Sequence, residues 1–596
     1  MASTPIRRLA RHTAVALALI TILGPAAHAA DAHKLDSILQ SRAHALTGRS
    51  RVIVQFNTTP DVRIITAARG SIGRRLAGGA QVAEIDNTTL AALAADPRVS
   101  SIAIDRPAFA TMERTNATTG AALARSTFNV TGRGIGVAVI DSGITPWHDD
   151  LNLAYGASVA NRVVHFKDFT GSGSSSIVAD GYGHGTHVAG IIAGSGYDSA
   201  GRLKGIAPGA RLIGLRVLDN TGNGYISDVI AALDYAVSVK TTYNVRVVNL
   251  SVGAAVTESY LIDPLTLAAR RAVDAGSVVV TAAGNLGTSD DGTTMQSGGI
   301  TAPGNAPWVL TVGASNHHNT NVRSDDSIPS FSSRGPTWVD FVAKPDLVAP
   351  GVGIASLAAP GSVLYATHPE LLRDGTVPVG YHPYMSLTGT SMAAPVVTGT
   401  IALMLEANPA LTVNAVKAIL EYTAQTLPGA SPLAQGAGSL NAEGAVRLAR
   451  YFASPRTDPG IPGDSIAGQW VPWSGTIVWG NYRVIGGIPS PNSIAWSPTV
   501  TWGAATSSTG ATVTWNTVTS STTTRENVVW GADCGGDNCQ QAIWGAPNST
   551  GYWGTATSAT RTLWPTNIVW SENIVWSENI VWSENIVWSE NIVWSE

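Results

Sequence analysis

Between residue 134 and about residue 453 the chain repeats one pattern, a short and almost unbroken apolar run followed by a longer amphipathic one. Residues 134–140, 211–218, 246–250 and 277–282 read as strands, and 227–239 and 264–275 as helices between them. A strand that is apolar at nearly every position has both faces buried, and helix-length crossovers let neighbouring strands run parallel. The pattern predicts an α/β fold, a mostly parallel sheet with helices on both faces. Ligands of such sheets bind beyond the C-terminal strand ends, where Asp141, Ser251 and Asn285 emerge.

Three short stretches carry chemistry. Val137-Ala138-Val139-Ile140-Asp141-Ser142-Gly143 ends a buried strand on an aspartate, and His184-Gly185-Thr186-His187-Val188-Ala189-Gly190 opens an apolar helix on a histidine. Leu387-Thr388-Gly389-Thr390-Ser391-Met392-Ala393-Ala394-Pro395 is a small-residue turn running into a second apolar helix over 396–405. A serine hydroxyl attacks only when fixed beside a base that takes its proton, and a helix N-terminus favours the negative charge that then develops. Pro395 is expected in the first turn, where its missing N–H costs nothing. A Gly-x-Ser-x-Gly esterase has the chain order Ser, acid, His; here the order is Asp, His, Ser, and Ala393 replaces the second glycine.

Together the three stretches resemble the subtilisin-like serine peptidases, the subtilase family, and Phe331 to Pro336 and Lys344 to Gly351 extend the likeness over most of 134–450. The resemblance implies a subtilisin-like three-layer fold and polypeptide substrates. It makes Asp141, His184 and Ser391 the triad, His187 a structural residue, and Asn285 a donor to the oxyanion. It also implies that Gly222, Asn223 and Gly224, with Ser251, Val252 and Gly253, pair with an extended substrate by strand addition. Ser251 to Gly253 and Ala282, Ala283 and Gly284 would wall the primary pocket, with Thr301 near its floor. None of these walls carries a carboxylate, which disfavours basic substrate side chains.

The chemistry needs no cofactor. The family often binds structural calcium, yet the loop Ser195-Gly196-Tyr197-Asp198-Ser199-Ala200-Gly201 offers one carboxylate where Ca²⁺ takes six to eight oxygens, so no metal site is assigned. No His-Glu-x-x-His pattern occurs, and His317-His318 reads as a solvated loop pair.

Arg7, Arg8 and Arg11, an apolar run over 14–23 and Ala27-His28-Ala29 read as a signal peptide over 1–29, which predicts a secreted or surface-associated product with no transmembrane segment. Residues 30–112 read as a small α+β unit: strands at 51–56, 82–86 and 99–104, a mostly helical stretch over 60–76, and a helix at 90–95. Its position resembles that of the family's propeptide, an intramolecular inhibitor removed by processing. Residues 112–120, Thr- and Asn-rich, read as the linker that is cut. The catalytic domain is expected over 113–453.

Residues 454–596 hold 15 of the 18 tryptophans, ending in five copies of Asn-Ile-Val-Trp-Ser-Glu over 567–596. Six is even, so an extended chain puts Ile568, Trp570 and Glu572 on one side of every repeat. A stacked β-array, a cell-surface attachment element and a disordered extension all fit. Export favours a disulfide between Cys534 and Cys539 over a metal site. A net charge of -4 gives no signature for nucleic acid. The rival to a peptidase is a surface-adhesion protein whose function lies in the tail, and the intact triad argues against it.

Overall fold

The computed structural model describes residues 32–528 apart from 36, 44–46, 77–78, 105–110, 156–157, 172–179, 290–293, 456–461 and 516–523. Residues 1–29, expected to be a signal peptide, the two cysteines and the hexapeptide repeats lie outside the described residues. The chain divides into two compact units after Phe109.

In the first unit, strands β1 (Arg49–Phe56), β2 (Ser71–Arg75), β3 (Ala80–Asp86) and β4 (Val99–Ile104) form an antiparallel sheet in the order β2-β3-β1-β4. Helices α1 (Val62–Ala67) and α2 (Leu90–Ala94) complete a core around Val52, Val54, Ile65, Ile85 and Ile102. The helix expected over 60–76 stops at Ala67. Arg69 takes a left-handed φ of 54°, and Gly70 passes so close to Ile65 that a Cβ would lie 2.7 Å from its carbonyl oxygen. The chain therefore turns out of the helix and becomes the edge strand β2.

The second unit is built on seven strands: β5 (Gly136–Asp141), β6 (Val163–Asp168), β7 (Arg211–Arg216), β8 (Val245–Leu250), β9 (Val278–Ala282), β10 (Leu310–Ser315) and β11 (Leu347–Pro350). Every pairing is parallel, in the order β11-β10-β9-β8-β5-β7-β6. The chain leaves β5 first toward β7 and later toward β8, so the order reverses at β5, and crevices open there beyond the C-terminal ends. One apolar layer lies under α5 (His184–Ala193) and α8 (Thr390–Ala407); the other lies under α6 (Ile226–Ser238) and α7 (Pro264–Asp274). This is the α/β three-layer arrangement expected from the alternating pattern. Among the described residues α8 is the one helix long and apolar enough to cross a membrane, and 83 % of it is buried in this core.

Two expected boundaries differ. The stretch read as a polar linker forms helix α3 (Thr111–Thr118), with Met112 and Thr115 buried. Its polar groups face protein partners: Asn116 donates to the Lys204 carbonyl at 2.6 Å and accepts from Arg125 at 2.7 Å. The second boundary, at 453, falls after α10 (Ala442–Ala453), but the chain packs on past it. The hairpin β12 (Gly463–Ile466) and β13 (Gln469–Pro472) is tied to α10 by Arg447 and Asp464, and β14 (Thr476–Trp479), paired with β15 (Tyr482–Ile485), and the loops to Trp515 cover α9 (Val413–Thr423). Glu421 of α9 accepts from the Val478 N–H at 2.6 Å, and the Lys417 ammonium lies 4.6 Å from the Trp502 ring centroid. Trp479, 2 % exposed, sits among Trp496, Trp502 and Trp515 with centroids 4.6 to 6.4 Å away. The first part of the Trp-rich region thus shares one core with the sheet.

Candidate active site

Asp141 ends β5, fully buried, and His184 is the first residue of α5. The next residue, Gly185, passes so close to the strand end that a Cβ would lie 2.1 Å from the Gly143 carbonyl oxygen, which explains the small residue after the histidine. The approach lets His184 Nδ1 donate to Asp141 Oδ1 at 2.8 Å, an oxygen that also accepts from the Ser142 N–H at 2.8 Å. The ring is left 17 % exposed, so Nδ1 is anchored while the histidine edge still faces the crevice.

Asp180 completes this arrangement, and the sequence reading missed it. Its Oδ1 accepts from the Ser142 hydroxyl and the Gly183 N–H, both at 2.7 Å, and its Oδ2 from the Thr186 N–H at 2.7 Å. Ser142 Oγ in turn accepts from the Gly185 N–H at 3.0 Å. Orphan N–H groups of a helix N-terminus are thereby satisfied by one buried carboxylate. The available signal was an acid four residues before His184, where a helix-starting residue is expected. Burial lowers the pKa of His184, but Asp141, through charge and hydrogen bond, and Asp180 more than offset it, so the net shift is upward from 6.5. Burial and the charge of His184 push His187 down to about 3; its Nε2 faces the Ile354 and Met385 carbonyls at 3.0 and 3.1 Å, a structural neutral histidine.

Ser391 lies in the first turn of α8, which packs against α5. Pro395 is not in that first turn: the helix begins at Thr390, so the missing Pro395 N–H leaves the Ser391 carbonyl without its intrahelical donor. Ser251, just past β8, supplies the replacement, its Oγ donating to the Ser391 carbonyl at 2.9 Å. The Ser391 hydroxyl donates back to the Ser251 carbonyl at 3.0 Å. Asn285 follows β9, and its Oδ1 accepts from the Thr390 N–H at 3.0 Å and the Thr390 hydroxyl at 2.9 Å. That leaves Nδ2 on the side of Ser391: a point placed as a Cβ on Gly389 lies 3.3 Å from Asn285 Nδ2 and 3.7 Å from the Ser391 nitrogen. Two N–H donors border one small space beside Ser391.

The expected pocket residues converge too. A Cβ on Gly253 would lie 2.5 Å from Thr301 Oγ1, and one on Gly284 2.9 Å from Thr301 Cγ2, which puts Thr301 between the two walls. Ala283 is buried behind the wall, its N–H donating to the Val312 carbonyl and its carbonyl accepting from Thr301. A cleft of about 60 Å³ adjoins, lined by Val256, Leu286, Ile300, Thr301 and Trp338 and by no charged side chain. Gly222, Asn223 and Gly224 form an exposed turn after β7, with Gly222 against the ring of Tyr182, two residues before His184.

The loop 195–201 holds Asp198, fully buried, close to His148 and Asp150. Asp150 accepts from the Gly196 and Asp198 N–H groups and the Tyr384 hydroxyl, while His148 donates to the Pro383 carbonyl and accepts from the Asp150 N–H. Only the Asp198 oxygens lack a partner, and burial with the nearby Asp150 and Asp149 pushes that carboxyl up to about 7. The ring nitrogens of His148 and the carboxylate of Asp150 thus carry hydrogen bonds within the protein, and Asp198 is the member of the trio whose oxygens are unengaged. His317 is buried, unlike the solvated pair expected; its Nδ1 accepts from the Asn319 N–H.

The sequence profile of the subtilase family matches residues 132–444. The chain is 37 % identical over 326 residues to the serine protease AprX of Bacillus subtilis, covering 53 % of this chain and 67 % of that protein. It is 32 % identical over 423 residues to an extracellular protease of Xanthomonas campestris, covering 63 % of this chain and 65 % of that one. A cold-adapted subtilisin-like serine proteinase of known structure is 28 % identical, with a TM-score of 0.37 over 52 % of this chain and 89 % of that one. With the profile covering more than half its length, the chain belongs to the subtilase family of serine-type endopeptidases.

Proposed function

We propose that this chain is an exported endopeptidase, made as a precursor, that cleaves extended polypeptides through Asp141, His184 and Ser391. The observation that carries the reading is the 2.8 Å bond between His184 Nδ1 and a fully buried Asp141, at the start of a helix that packs against the helix bearing Ser391. It fixes the tautomer with Nε2 free to accept a proton. Ser391 Oγ leaves the Ser251 carbonyl, a neutral bond with a net contribution of about 1 kcal/mol, and turns to His184. As Oγ attacks the scissile carbonyl, Nε2 takes its proton, and Asp141 stabilises the imidazolium. The oxyanion is received by Asn285 Nδ2 and the Ser391 N–H, both held before substrate arrives. His184 then gives its proton to the leaving amine, and water releases the acyl group by the reverse path.

Substrate runs along 222–224 and 251–253, with an apolar side chain in the uncharged cleft beside Thr301. The first unit is the inhibitory propeptide, and maturation is self-catalysed. Secreted Ser391→Ala protein, made in a host without other extracellular peptidases, is expected to retain the first unit and to leave internally quenched peptides uncut. Wild type is expected to lose the unit and to prefer leucine over lysine or aspartate before the cut. Trimming of Ser391→Ala at the wild-type site and rate would refute self-processing, and residual hydrolysis by it would refute the assigned nucleophile.

A further inference from the structure

The Trp-rich region contains a recurring unit, a β-branched residue followed two positions later by tryptophan, and the described copies show what it does. In Ile477-Val478-Trp479, Val500-Thr501-Trp502 and Val513-Thr514-Trp515 both marked side chains turn into the same aromatic cluster, whereas in Ile494-Ala495-Trp496 the tryptophan enters it and Ile494 stays exposed. Ile477, Trp479, Val500, Trp502 and Val513 are each under 5 % exposed. Ile477 and Trp479 lie in strand β14, and the Val500 and Val513 units reach the same cluster from loops, so three of the units dock as two-pronged anchors. The terminal repeats carry the same anchor five times, Ile568 and Trp570 in the first copy.

Beside the cluster lies a cavity of about 450 Å³ between α7 and the loop 498–508. Trp308, Val413, Val500 and Trp502, all buried, form its floor, and Thr499 and Arg270 its rim. Arg270 lies 5.0 Å from the Trp308 ring centroid, and its ion pair with Asp274 is 3.6 Å long with both side chains substantially exposed, a contact of little energy. The floor is apolar and the rim carries both Arg270 and Asp274; one face of the repeat presents Ile568 and Trp570, with Glu572 two residues later to take Arg270 from its weak pair with Asp274.

We propose that this cavity is the seat of an Asn-Ile-Val-Trp-Ser-Glu repeat of the same chain, with its Ile and Trp on the floor and its Glu paired to Arg270. The 38 residues between Val528 and Asn567 span at most about 130 Å, ample to reach it. The tether also makes docking intramolecular, so it is favoured over capture of another copy at low concentration. The cavity adjoins Asp274 and Trp308, just before β9 and β10 begin, while Asp141, Ser251 and Asn285 follow strand C-terminal ends. Docking therefore holds the tail at the end of the sheet away from the crevice and leaves substrate access open.

The test uses the full chain, inactivated with a serine-directed phosphonate and carrying Thr499→p-benzoylphenylalanine as a photo-cross-linker on the rim. The expected product is a cross-link to a repeat-containing peptide within one chain, its yield unchanged over a hundredfold dilution. Arg270→Glu should lower that yield about fivefold, as loss of a rim ion pair does, and Arg270→Lys should largely restore it. A cross-link found only between isotopically distinct copies assigns the seat to a second copy and overturns the proposal. Cross-links to other segments alone, or none in a chain with wild-type thermal stability, overturn it as well.

Discussion

Trp479→Ala is the perturbation that most directly tests whether the segment after residue 453 belongs to the catalytic fold. Trp479 is 2 % exposed, its indole N–H donates to the Ala504 carbonyl at 3.0 Å, and three other tryptophans pack around it above α9. Truncating a tryptophan in a close-packed core costs about 3–5 kcal/mol, and the unpaired Ala504 carbonyl adds to that. Against a typical folding stability of about 5–15 kcal/mol, the loss is a large fraction of the whole. Trp470→Ala is the internal control: Trp470 is 55 % exposed on the neighbouring hairpin, and such surface changes stay within about 0.5 kcal/mol. The assay is the half-life of peptide hydrolysis during incubation at elevated temperature. Trp479→Ala is expected to shorten it at least tenfold while initial kcat/KM at low temperature stays within about twofold. Equal half-lives for the two variants would refute the claim of a shared core.

Two further predictions concern the site. Activity should rise with pH as His184 loses its proton, with a midpoint in kcat/KM above 6.5 because Asp141 and Asp180 stabilise the imidazolium against burial; Asp180→Asn should move that midpoint down, and an unmoved midpoint would show that Asp180 acts on geometry alone. Asn285→Ala should lower kcat by roughly 10²- to 10³-fold with little change in KM, and near-normal turnover would remove Asn285 from the oxyanion site.

The alternation of apolar runs and helices was enough to place β5, β7, β8 and β9, because strands buried on both faces carry their signal in every residue; β10 and β11 are as fully buried but were not placed, since Gly313 and Ser315 and the short Leu347–Pro350 run interrupt that signal. The edge strand β6 escaped notice for the opposite reason: Val163–Asp168 contains His165, Lys167 and Asp168 and is only half-buried. The stretches bearing Asp141, His184 and Ser391 were legible as a strand end and two helix starts, because in each an apolar run begins or ends on one polar side chain. Asp180 was not, since an acid in a glycine-rich loop looks like any turn residue until Ser142 and Thr186 are brought to it. The Thr/Asn-rich helix α3 and the first Trp-rich segment were misplaced alike. Their composition suggests solvent exposure, and only tertiary partners, the Lys204 carbonyl for Asn116 and α9 for Trp479, make them interior. Pro395 was set one turn too early because the helix start at Thr390 is marked by a hydrogen bond to Asn285, a residue 105 positions away.

The central claim is that Asp141 and His184 activate Ser391 as the nucleophile, and covalent labelling tests it without a substrate. A serine-directed phosphonate added to the mature enzyme, followed by peptide mass mapping, is expected to place one adduct per chain on Ser391. His184→Ala protein, still folded by circular dichroism, should label at least a thousandfold more slowly, because without the base the hydroxyl remains a weak nucleophile. An adduct on any other residue, or labelling of Ser391 at an undiminished rate in His184→Ala, would contradict the mechanism.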